Sequence, residues 1–359
     1  MAGLIERRTL LTGAAATGAA AAIGIGRARA AAPMKIGFVY VGPVGDLGWS
    51  YQHDVARKTL QEKYGDKIAT QFVENVAEGP DAERVIRELA KVNAMVFATS
   101  FGFMNPTERV AKQFPKVKFE QATGYKTRPN MAEYNARFYE GRAVCGTMAG
   151  MLSKAGVAGY VASFPIPEVV MGINAFTLAA RKVNPNFKTK VIWANTWFDP
   201  GRESDAAKSL IDQGADILAQ HTDSPAVMQT AEARGVLAFG QSSDMRRFGP
   251  KAQVTSIVDN WAPYYILRTQ QALDGTWKTD DVWWGIKEGM VELAPYGPAV
   301  TDKVRAAADE VKAGIVSGKI HPFTGPIKDQ KGNLKLAAGA VMPDADLLKI
   351  NWYVEGVQA

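Results

Sequence analysis

Short apolar runs alternate with amphipathic stretches along this chain, and they do so in two successive series. KIGFVYVG (35–42) reads as a strand, followed by a helix from about Trp49 to Lys63, then IATQFVENV, the amphipathic PDAERVIRELAKV, AMVFATS, the helix NPTERVAKQF and VKFEQAT. Strand then helix, repeated, implies a parallel sheet with helices on both faces. A second series follows the helix EGRAVCGTMAGMLSK: VAGYVASF, a helix to Asn184, KVIWAN, the helix RESDAAKSLIDQG, ADILAQHT, the helix PAVMQTAEARG, VLAFGQS and VTSIVDN. The expected fold is α/β, with two Rossmann-like βα lobes in tandem.

Beyond the second series, WAPYYILRTQQALDG and TDKVRAAADEVKAGIVSG read as helices, with WKTDDVWWGIKEGMVELAPYG between them. No Pro/Gly/Ser-rich linker separates the halves, so several ordered crossings between lobes are expected. The expected N-terminal lobe is 33–138 plus 261–282, and the C-terminal lobe 139–260 plus 283–359. Parallel α/β sheets bind ligands at the carboxyl ends of their strands, and loops from both lobes would face one cleft there.

The first 30 residues carry Arg7-Arg8, an uncharged Ala/Gly-rich stretch and a small-residue ARA site. That order reads as a twin-arginine export signal cut after Ala30, placing the mature protein in the periplasm. Removing Arg7, Arg8, Arg27, Arg29 and Glu6 lowers the formal charge from +6 to about +3. Lys and Arg are scattered, and a nucleic-acid partner is not indicated. Cys145, the single cysteine, lies far from the cleavage site, so it offers no lipid anchor, and it excludes an internal disulfide. Its small neighbours at helical spacing predict a packed thiol rather than a reactive one.

The strand-end loops hold the candidate binding residues. VGPVGDLGWS is tightened by Gly42, Pro43, Gly45 and Gly48 and delivers Asp46 and Trp49; SFGFMNP carries Phe101, and NTWFDPGRES carries Trp197 and Phe198. Loop aromatics suit a flat ligand held by stacking, the alternative being that they close each lobe's rim. Polar partners nearby in sequence are Asp223, Asp244, Asn260 beside Trp261, and Lys287. The histidines, His53, His221 and His321, form no H-x-x-x-H pair, and neither a G-x-S-x-G elbow nor a phosphate loop is present. No cofactor or metal is therefore expected, and a purine-processing enzyme is the distant alternative. His53 is expected on a helix surface, and His221 is a candidate cleft residue.

These segments together resemble the basic membrane protein family of substrate-binding proteins for ABC importers. The resemblance rests on KIGFVYVGPVGDLGWS, PNMAEYNARFYEGRAVCGTMAGMLSK, GINAFTLAARKVNP, WANTWFDPGRESDAAKSLIDQGADIL, and TSIVDNW followed by WWGIKEGMVEL. It implies the type I periplasmic-binding-protein fold, a purine ligand, no catalysis, and a monomer delivering its ligand to an inner-membrane permease. By resemblance, Trp49 and either Trp197 or Phe198 sandwich the base, Asp244 matches the ribose-binding carboxylate, and Lys287 matches the lysine of G-x-K-[ED]-G. Nucleoside-binding members read G-[FY]-N where this chain has Gly48-Trp49-Ser50, and the missing Asn favours a free nucleobase such as adenine, guanine, hypoxanthine or xanthine. A sugar or polyol is the competing ligand, because sugars also stack on tryptophan.

Overall fold

The computed structural model describes residues 32–359, so the expected export signal at 1–30 lies outside the described residues. The chain runs β1 (Met34–Tyr40), α1 (Trp49–Tyr64), β2 (Ile68–Val73), α2 (Pro80–Val92), β3 (Met95–Thr99), α3 (Met104–Gln113), β4 (Lys118–Ala122) and β5 (Met131–Ala136). It continues through α4 (Phe138–Leu152), β6 (Val157–Ala162), α5 (Pro167–Val183), β7 (Lys188–Trp193), α6 (Pro200–Asp212), β8 (Ile217–His221), α7 (Ala226–Arg234), β9 (Leu237–Gly240) and β10 (Gln253–Asp259). The last part holds α8 (Ala262–Leu273), β11 (Asp281–Trp284), β12 (Val291–Leu293), α9 (Asp302–Val316), β13 (Ile327–Lys328), β14 (Leu334–Leu336), α10 (Asp344–Leu347) and β15 (Val357–Gln358).

Two large sheets result, one per lobe, and β13 pairs with β14 in a small antiparallel third sheet. The first has the order β11-β5-β4-β3-β1-β2, with every pairing parallel. The second has the order β12-β10-β9-β8-β6-β7-β15, parallel except for β12 against β10. Central strands carry continuous apolar runs, as in MVFAT of β3, because helices cover both faces. The edge strand β12 departs from the all-parallel expectation: its three residues pair antiparallel with β10 after the chain has crossed back from β11 of the first sheet. Among the described residues the chain passes between the sheets three times, after β5, after β10 and after β11.

Local chemistry sets the helices. α2 starts at Pro80, carries Asp81 and Glu83 in its first turn, and buries Val85, Ile86 and Leu89 on one face. α6 is capped by Asp199, whose side chain accepts from the Arg202 N–H at 3.0 Å. α4 and α5 pack so closely that a Cβ at Gly146 would stand 2.1 Å from the Phe176 carbonyl oxygen. Cys145 is buried in α4, and burial pushes its thiol up to about 12. Among the described residues no helix is long and apolar enough to cross a membrane.

Candidate functional site between the lobes

A narrow cavity opens where the two sheets present their carboxyl ends to each other. Its walls follow strand ends one by one. Val41 and Trp49 come after β1, Ser100 and Phe101 after β3, and Thr123 after β4; Ile166 and Glu168 come after β6, Trp197 after β7, His221 and Asp223 at and beyond the end of β8, and Gln241 after β9.

Trp49 opens α1, and its indole N–H donates to the Thr99 carbonyl at 2.7 Å. His53, Trp261 and Phe138 brace the ring edge-on, with centroids at 4.6, 5.2 and 6.1 Å. Held on several sides, the indole is an ordered wall for a flat ligand. Trp197 belongs to the other lobe; its N–H donates to Glu78 Oε1 at 3.3 Å and its ring meets Phe164 at 5.0 Å. Phe101 lines the same cavity, its ring 6.4 Å from that of Tyr125.

The polar side of the cavity is made of groups taken out of water. Burial, then Glu203 and Asp259, raise the Asp223 carboxyl well above the carboxylate range, although the Trp49 backbone N–H reaches it at 3.4 Å. Burial pushes Glu168 up to about 8 and Asp259 to about 7. His221 Nε2 lies 3.5 Å from Glu168 Oε1, and burial together with Arg142 holds the imidazole neutral. Arg142 is itself occupied by the Gln220 carbonyl at 2.6 Å and by Gln241 Oε1.

The lobes touch around this cavity. The Gly48 N–H donates to Ser243 Oγ at 2.9 Å, Gln52 Nε2 reaches the same oxygen at 3.0 Å, and Asp46 pairs with Arg247. Gly48 has φ of +89°, and a Cβ there would stand 2.8 Å from the Asp223 carbonyl oxygen, so only glycine lets the two loops close on each other.

Of the residues singled out in the sequence, Trp49, Phe101, Trp197, Asp223 and the cleft candidate His221 meet at the cavity, whereas Asp46, Phe198, Asp244, Asn260, Trp261 and Lys287 do not line it. Asp46 is turned toward Arg247 at the lobe contact. Phe198 is 42% exposed and faces an outer groove. Asp244 is held outward by Arg246 at 2.7 Å and Gln253 at 2.8 Å. Lys287 is exposed on the turn between β11 and β12. Trp261 is fully buried behind Trp49, stacked on His53 at 4.6 Å. His53, expected at a surface, is fully buried, with Nδ1 2.6 Å from the Tyr265 hydroxyl. The sequence reading missed Glu168, Gln241, Ser100, Thr123 and Ile166 as cavity residues; the one signal for Glu168 was an acidic residue directly after a strand-end Pro-x-Pro. Among the described residues no cluster of His, Cys, Asp and Glu could hold a metal ion.

Comparison with known proteins is consistent with this architecture. The sequence pattern of the PnrA-like ABC transporter substrate-binding proteins matches residues 34–331. A purine-binding protein of Brucella abortus (strain 2308) is 58% identical over 333 residues, covering 92% of this chain and 95% of its own. A Haloferax volcanii protein named as a candidate ABC transporter glucose-binding protein is 39% identical over 289 residues, covering 80% of this chain and 73% of its own. An ABC transporter solute-binding protein of Aeropyrum pernix K1 superposes with a TM-score of 0.69 at 18% identity, covering 83% of this chain and 93% of its own, a likeness of fold. On the breadth of these matches, the chain belongs to the family of PnrA-like ABC transporter substrate-binding proteins.

Proposed function

We propose that this protein captures a purine outside the cytoplasm, in the periplasm, taking the free base in preference to the nucleoside and handing it as a monomer to an inner-membrane permease. The observation that carries the reading is the aromatic cavity shared by the lobes, with Trp49 and Phe101 from one and Trp197 from the other. A planar heterocycle can stack on such walls, each stack contributing about 1–3 kcal/mol. Both walls meet the ligand only when the lobes are shut, so closure and binding are one equilibrium, with the crossings near residues 138, 261 and 283 as hinge. The 58%-identical relative is named for purine binding, and the twin-arginine leader agrees with a place outside the cytoplasm.

A sugar is the second reading, favoured by the name of the 39%-identical relative. A thermal-shift screen of protein refolded free of ligand, against purine bases, nucleosides and glucose, separates the two. Ligand at about 100 times its dissociation constant adds about 2.7 kcal/mol and lifts the midpoint by several degrees. The expected result is a shift with free purines and little with nucleosides. A response to glucose alone overturns the purine reading.

A further inference from the structure

One carboxyl in the cavity has no partner for the oxygen that matters. Glu168 sits in the first turn of α5, its side chain 11% exposed, and its Oε2 finds no hydrogen-bond partner among the described residues. His221, 6% exposed and at the end of β8, lies beside it, and its Nδ1 is likewise without a partner. Both side chains line the cavity. Two buried polar atoms left unmatched at one end of an aromatic slot are costly in an unliganded protein, and a ligand able to pair with them removes that cost.

The groups around Glu168 decide which form it takes. His221 on β8 faces it as a neutral ring; Asp259 at the end of β10 and Asp223 beyond β8 are further carboxyls taken out of water; Arg142 on α4 is the nearby cation, its Nη2 engaged by Gln220 and Gln241 and its Nε and Nη1 without a partner among the described residues. Among the described residues Glu168 forms no ion pair with a lysine or arginine, so the neutral acid is the favoured form, in keeping with the upward push that burial gives Glu168.

We propose that Glu168 fixes the orientation of the ligand by donating its Oε2–H to an unprotonated ring nitrogen of a neutral, planar N-heterocycle, with His221 pairing the neighbouring edge position. This rests on the purine reading and deepens it: the aromatic walls accept any flat ring, and Glu168 selects rings whose edge offers a nitrogen lone pair. A carbocyclic or fully N-alkylated ring of the same size stacks equally well and is rejected, because it leaves the acid unmatched.

The test is calorimetric titration of the full mature protein with adenine and hypoxanthine between pH 6 and 9.5, for wild type, E168Q and E168L, with far-ultraviolet dichroism and thermal unfolding confirming that each variant is folded. Wild-type affinity should hold up to about pH 8 and then fall as Glu168 loses the proton it donates. E168Q, whose amide still donates, should bind about 10-fold more weakly than wild type with that decline removed, and E168L about 100-fold more weakly at every pH. If purines bind and both variants match wild type, or if wild-type affinity rises with pH, the assignment of Glu168 as donor falls and the purine reading stands. If wild type binds no purine at any pH, the purine reading falls and takes this inference with it.

Discussion

Glu120 on β4 and Glu168 at the start of α5 are glutamates withdrawn from water in opposite lobes, and the lobes treat them differently. Glu120 Oε1 accepts from Arg268 Nε at 2.8 Å and from the Trp277 indole at 2.5 Å, while Oε2 accepts from the Tyr264 hydroxyl at 2.6 Å. Arg268 is satisfied in turn by Gln271 and the Lys278 carbonyl, each at 2.9 Å, and lies 4.8 Å above the Trp277 ring. Glu168 has the neutral His221 at 3.5 Å from Oε1, and its Oε2 is left over. A saturated buried carboxylate holds α8 against the first sheet; an unsaturated one faces a cavity. Hydrogen-bond saturation is what separates these two glutamates.

Substituting each glutamate by leucine should therefore give opposite results. The larger effect is expected at Glu120→Leu, which leaves Arg268, 2% exposed, buried without its anion. Breaking a buried pair from one side costs about 3–5 kcal/mol, so the unfolding midpoint should drop by about 4–7 °C. Ligand affinity of the folded fraction should hold. The double variant Glu120→Leu with Arg268→Met should regain much of the loss; no recovery would show that the network supports the lobe through more than its charges.

Trp49→Ala comes next in its effect on affinity, and it also removes packing against His53, Trp261 and Phe138, so the unfolding midpoint should fall as well. It removes one stacking wall and the hydrogen bond to Thr99, costing about 2–3 kcal/mol of affinity, on the order of 30–150-fold. Isothermal titration reads this directly. Undiminished affinity would move the ligand off the Trp49 wall and break the comparison on the binding side.

The sequence disclosed the scaffold more readily than the site, and particular residues show why. Strand and helix periods are local, so PDAERVIRELAKV could be read as α2 and KIGFVYVG as the first strand. His53 defeated the same reasoning: its neighbours on α1 look polar, and its burial comes from Trp261 and Tyr265, more than 200 residues away. Trp49, Phe101 and Trp197 were visible because aromatic residues in Gly/Pro-tightened loops are unusual. Glu168 was not, because an acidic residue in a helix's first turn is what the helix dipole alone favours. Asp244 and Lys287 came from motif matching, which fixes the loop and not the direction of the side chain; Arg246, two residues on, holds Asp244 outward.

Glu168→Leu sharpens the comparison on the stability side. Removing an unmatched buried carboxyl should raise the unfolding midpoint of the ligand-free protein, by about 1 kcal/mol of stability, while affinity falls. The pH dependence has a fixed sign. An unfolded glutamate releases its proton near 4.3, whereas folded Glu168 keeps it to about 8. Between those values the folded state holds the extra proton, so stability falls as pH rises across the window. Ligand-free wild type should melt lower at pH 8 than at pH 5, and Glu168→Gln should melt with a shallower decline. Part of the decline should persist, because Asp259 and Asp223 are shifted in the same direction.

The smallest effect is expected where the lobes meet in water. Asp46 and Arg247 pair across the cleft mouth with side chains 68% and 52% exposed, and exposed pairs contribute about 0–1 kcal/mol. Their position gives that small term a direction: the two residues sit in opposite lobes, so the attraction exists only when the lobes are shut and favours closure alone. Arg247→Ala should therefore weaken ligand affinity by less than about 5-fold, leave the unfolding midpoint of the ligand-free protein nearly unchanged, and reduce the dependence of affinity on salt. Titrations at low and high ionic strength measure this. An unchanged salt dependence would mean that closure is held by the buried contacts of Gly48 and Gln52 with Ser243, and that the charged pair at the mouth contributes nothing to it.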